Sequence, residues 1–116
     1  MYKVIKIMPN ENAEIVELTD KVVGLQTMYD ILGVDIIDIV RCRKIAGLTN
    51  LELIVDDEAL LKPSPVLNYV ASVLAGRLIY GPAMICSMED TIEGVRSIGL
   101  LPIHANAVKS TLDIFV

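Results

Sequence analysis

Nine consecutive residues, Val34-Asp35-Ile36-Ile37-Asp38-Ile39-Val40-Arg41-Cys42, constrain the fold more than any other stretch. β-Branched side chains are stiff at χ1 and favour extended backbone, so the run is a strand. It lacks the strict alternation of a half-exposed strand, which predicts a central place in a sheet. Two more apolar runs follow, Leu51 to Val55 and Leu78 to Cys86. Gly47 to Asn50 supplies turn chemistry between the first two, so they form a hairpin. In the second run Leu51, Leu53 and Val55 alternate with Glu52, Ile54 and Asp56. Gly81-Pro82 interrupts the third. Proline has no N–H for a ladder, so that point is an edge, a bulge or a strand start.

The remaining segments read by the same logic. Tyr2 to Met8 is a strand, Pro9-Asn10-Glu11-Asn12 a turn, and residues 13–18 a second strand, together a hairpin. Thr19 or Asp20 is placed to cap a helix carrying Val22, Leu25, Met28 and Leu32, with Gly33 at its left-handed end. Ser64 and Pro65 suit the N-cap and first position of a helix over about 65–75. Its stripe is Leu67, Val70, Ala71 and Leu74, and Gly76 ends it. Residues 87–101 read as a short helix over 90–99 or an irregular excursion. A last helix runs from Pro102 to about Phe115, with Val108, Leu112 and Phe115 on one side. The expected architecture is one α+β domain spanning 1–116, a small mixed or antiparallel sheet with two to three helices packed on it.

Composition narrows the function. Apolar residues make up 53% of the 116 residues, enough to bury a core. No apolar run reaches the ~18 residues of a membrane span. The start, Met1-Tyr2-Lys3-Val4-Ile5-Lys6, alternates apolar and cationic residues, so no secretory signal is expected. Cys42 and Cys86 form no CxxC, and reduced thiols in a cytoplasmic protein are the expectation. A net charge of −5 repels phosphate backbones and speaks against DNA or RNA as partner. Arg41, Arg43 and Lys44 form the sole basic cluster, read as a solvated strand end.

Catalytic signatures are sparse. One histidine, His104, and two distant cysteines make a zinc site improbable. No Gly-Lys-Ser/Thr, GxSxG or GxGxxG occurs. Asp56-Asp57-Glu58 could hold a hard cation, but consecutive acids at a strand end are more often a solvated turn. The few aromatic residues do not form a stacking platform on a basic face. No catalytic residue, metal or cofactor is therefore expected.

Several short blocks resemble a known family. They are Lys3-Val4-Ile5-Lys6-Ile7, Leu25-Gln26 with Gly33, and Ile37-Asp38-Ile39-Val40. The most specific is Leu53 to Pro63 with Asn68, an acidic strand end followed by leucine, lysine, proline and asparagine. Ile79 to Ile85 adds a strand with a central glycine. This layout resembles a small domain of unknown function found in phages, plasmids and gut-bacterial mobile elements. Ala59 stands where that family usually has glycine, and Tyr69 where an arginine often follows the asparagine. The resemblance implies a compact α+β domain without established catalysis, acting as a mobile-element accessory protein. By analogy it blocks a host defence protein or sequesters a nucleotide signal in the host cytoplasm.

Within that class, Lys62, Asn68, Arg77 and Tyr80 have the chemistry of a nucleotide pocket. Cations meet phosphate, an amide meets a base edge, and an aromatic ring stacks. The high apolar fraction suggests surplus hydrophobic surface and hence a homo-oligomer. The competing readings are a metal-dependent nucleotide-processing enzyme built on Asp56, Asp57 and Glu58, and a purely structural accessory module.

Overall fold

A computed structural model describes residues 1–115. The elements run β1 (Tyr2–Ile7), β2 (Glu14–Leu18), α1 (Leu25–Leu32), β3 (Ile37–Arg41), β4 (Leu51–Asp56), α2 (Tyr69–Ala75), β5 (Ala83–Thr91), β6 (Gly94–Ile98) and α3 (Pro102–Leu112). Short 3₁₀ turns cover Ala59–Leu61 and Asp113–Phe115. The strands form one antiparallel sheet in the order β2-β1-β5-β4-β3, with β6 also paired to β5. This is the expected α+β fold, with three helices on an antiparallel sheet. Among the described residues no helix is long and apolar enough to cross a membrane.

β5 organises the sheet. Its first residues pair with β4 on one edge and β1 on the other. Ser87 pairs with Leu51 of β4 and also with Ile98 of β6, so β6 must continue the lane that β1 vacates. The bridge Lys3↔Leu100 closes that junction. One face buries Ile5, Leu53, Val55 and Ile85 beneath α2 and α3, which contribute Ala71, Leu74, Ala105, Val108 and Leu112. The other buries Val4, Ile54, Met84 and Cys86 beneath Met28 and Leu32 of α1.

Four expectations need correction. β3 is the edge of the sheet, and β4 is the strand buried along its whole length. Of the residues that alternate with Leu51, Leu53 and Val55, Glu52 and Asp56 are buried and find partners inside the protein. Glu52 accepts from the Cys86 thiol at 3.2 Å and from the Ser97 hydroxyl. Second, the first helix starts at Gly24, not Thr19 or Asp20. The chain bends at 19–21, and Lys21 to Val23 then lie beside β6, with Val23 N–H donating to Ser97 O and Gly99 N–H to Lys21 O. Third, α2 is capped by Asn68 rather than Ser64, because Val66 to Asn68 pairs with Ile79 to Gly81 instead of coiling. Fourth, residues 90–99 are neither helix nor excursion. They finish β5 and form β6, turning at Ile92-Glu93. Gly-Pro at 81–82 marks the start of β5, Gly33 ends its helix in the left-handed conformation as predicted, and Gly76 ends α2 as predicted, also left-handed. Pro102 opens α3, whose final turn gives way to the 3₁₀ segment. The Phe115 side chain lies outside the described residues.

Gly99 shows how tightly the β1–β6 junction closes. A Cβ there would sit 2.7 Å from Tyr2 Cβ and 3.3 Å from Lys3 O. Gly99→Ala must push backbone apart, at about 1–3 kcal/mol. Urea unfolding of that variant should show a lower midpoint, whereas Gly24→Ala, with nothing within 4 Å, should lose far less.

Candidate functional site

The site grows from the end of β4. Asp56 is buried, and its Oδ1 accepts the Glu58 N–H at 2.9 Å, an Asx turn that reverses the chain. The 3₁₀ turn Ala59–Leu61 then swings Lys62 back, so that its ammonium lies 3.1 Å from Asp56 Oδ2. Lys62 itself is 44% exposed along its side chain. One end of the pair is therefore interior and the other faces solvent.

Two clefts flank this pair, and Asp56 and Ala59 line both. The larger, about 390 Å³, lies between the β1–β2 turn and the Pro63-Ser64-Pro65 segment, with Lys62 on its wall. Three of its lining residues, Asn10, Ser64 and Gly81, have left-handed backbone at φ 63°, 52° and 78°. A left-handed non-glycine residue costs of order 1 kcal/mol, and such strain clusters at functional sites. The smaller cleft, about 200 Å³, is lined by Arg77, Tyr80, Asp38 and Asp57. Arg77 there bridges to Asp38 at 3.2 Å.

The four predicted site residues thus part company. Arg77 and Tyr80 share the smaller cleft, and Lys62 stands in the larger. Asn68 lines neither: its side chain is buried and fully engaged. Nδ2 donates to Ile7 O and to Gly81 O, both at 2.9 Å, and Oδ1 accepts the Ala71 N–H at 3.2 Å. It ties the end of β1, the entry to β5 and the start of α2 together, and has no amide edge left for a ligand. Residue chemistry alone pointed to Asn68, because an interior carboxamide and a ligand-binding one look alike in sequence. Sequence reasoning missed Asp38, Asn10 and Ser64. The Pro-Ser-Pro segment was the available signal for Ser64, read there as a helix start.

Other reactive groups lie elsewhere. Among the described residues no cluster of three His, Cys, Asp or Glu side chains could hold a metal. Asp56, the first of the three consecutive acids, spends its carboxylate on Lys62 and the Glu58 N–H. Both cysteines are buried and free. Burial pushes the Cys42 thiol up to about 11, against the opposing pull of Arg43. Burial, and then the charge of Glu52 and its hydrogen bond, pushes Cys86 well above the usual thiol range.

With this geometry in view, the comparisons with known proteins place the chain. Residues 2–100 match the family described as a domain of unknown function, DUF3846, and the chain belongs to that family. The matched segment holds all six strands with α1 and α2, while α3 lies beyond it. No curated protein and no solved structure matches.

Three outcomes follow. Asn68→Ala removes a cap and two interior hydrogen bonds and leaves carbonyls unpaired, so chemical denaturation should show a loss of about 2–4 kcal/mol. At pH 8 the Cys42 thiolate is on the order of one molecule in a thousand, so native protein should resist alkylation that proceeds readily in denaturant. Because both thiols favour the protonated form when folded, stability should fall as pH rises from about 9 towards 11. Thiol labelling by mass spectrometry and urea melts across that range read the two effects.

Proposed function

We propose that this protein is a non-catalytic binding module whose larger cleft takes a small anion of the nucleotide class. The observation that carries the reading is a cleft of about 390 Å³ beside a lysine anchored from below by a buried carboxylate. That volume falls in the range of small-molecule sites. An ammonium has three donors, and Asp56 uses one, so Lys62 keeps donors for a phosphate while its position stays fixed. The adjoining cleft contributes Tyr80 as a stacking surface, with Arg77 held against Asp38 on its wall. A ligand with a charged end and a planar end would lie across the shared Asp56–Ala59 wall.

In the setting implied by the mobile-element resemblance, such a module would sequester a host nucleotide signal. Blocking of a host defence protein is the second reading. What favours it is the wall of the smaller cleft, where Leu60 and Leu78 are both more than 60% exposed. Apolar side chains gathered in this way suit a macromolecular contact.

Calorimetric titration with cyclic nucleotides and with ADP-ribose-type nucleotides separates the readings. At least one compound should bind, and Lys62→Met should weaken it about 10–100-fold, the cost of one charged hydrogen bond. No heat from any nucleotide would sink the small-ligand reading and leave protein blocking.

A further inference from the structure

The two outer strands of the sheet meet solvent differently. β2 carries Glu14 and Glu17, with Glu11 and Asp20 close by in sequence. A second copy of the same strand would meet like charge, which protects that edge. β3 has no such guard. Ile37–Arg41 contains no proline and no lysine, its register against β4 runs unbroken, and its flanks carry both signs, Asp35 and Arg43.

Its backbone is also free to pair. Asp57 N–H donates to Ile36 O, so in this register Asp38 and Val40 turn their backbone groups toward β4. Ile37, Ile39 and Arg41 turn theirs outward. Ile39 lies opposite the fully buried Ile54, yet is itself 51% exposed. The apolar face beneath α1 therefore continues to the rim and stops uncovered.

We propose that a second copy of this chain pairs with β3, antiparallel, about a two-fold axis through Ile39 perpendicular to the sheet. In that register Ile39 faces Ile39 and Ile37 faces Arg41, so every outward N–H and C=O of the strand meets its complement. The two Ile39 side chains cover each other on the α1 side. Beyond the strand ends the same register brings Asp35 of each copy level with the exposed Arg43 of the other, whose backbone N–H is held by Leu74 O of α2. The neighbouring symmetric registers are poorer. One sets Asp38 against Asp38, and the other sets Ile39 against Arg41 and loses the Asp35–Arg43 match. The result is one continuous sheet with both α1 helices on the same face.

Light scattering coupled to size exclusion, over about 1–100 μM, tests this. The expected mass is twice 12.7 kDa. Ile39→Lys sets two ammonium groups against each other and should raise the dissociation constant at least about 10-fold. Glu14→Lys, on the opposite edge, should leave it unchanged. Arg43→Asp should weaken the dimer, and Asp35→Arg combined with Arg43→Asp should restore it. Circular dichroism checks that each variant is folded. A monomer across the whole range overturns the proposal. So does a dimer indifferent to Ile39→Lys or, should that variant not fold, to Arg43→Asp.

Discussion

The carboxamide of Asn68 is the interaction on which the rest of the structure leans. Three segments far apart in sequence converge on it: the end of β1, the turn into β5 and the first turn of α2. Each offers a backbone group, buried at Ile7 and Ala71 and half-buried at Gly81, and a buried group left without a partner costs a few kcal/mol. One side chain with two donors and an acceptor satisfies all three. Ser72 completes the arrangement, since its hydroxyl donates to Asn68 O and accepts the Ile79 N–H. The segment between α2 and β5 is held in place by these bonds, and the two clefts take their shape from it.

β4 illustrates the same principle with charge. A central strand buried on both faces is ordinarily an apolar run. Here it includes Glu52 and Asp56, and both are kept by specific local partners. Among the described residues no buried side-chain nitrogen or oxygen lacks a hydrogen bond. The consequence for function is direct. Asp56 is fixed by the interior, so its partner Lys62 presents a positioned cation at the surface rather than a freely moving one.

Much of the fold is legible from residues alone, and the failures share a cause. The two hairpins, the helix-ending glycines and the Pro102 start rest on local chemistry, and local chemistry decides them. The edge position of β3 does not, because its β-branched run has the composition of a central strand. What places it outside is the pairing of β4 with β5, which brings together residues some thirty positions apart. Similarly Ser64-Pro65 is a sound helix start locally, but the ladder between Val66–Asn68 and Ile79–Gly81 outcompetes it. Of the candidate site, Lys62, Arg77 and Tyr80 were legible as chemistry. Their division between two clefts was not, since it depends on where Asp56 and Ala59 fall between them.

The nine residues of β5 have a consequence for how the chain assembles as it is made. They lie between β1 and β4 and also carry β6, yet they come late in the chain. Until the ribosome has released them, the two earlier hairpins have nothing to join them and their apolar faces stay wet. Sheet closure then requires long-range pairing, the slow kind. A nascent chain halted before Ala83 would be two sticky halves waiting for their keystone.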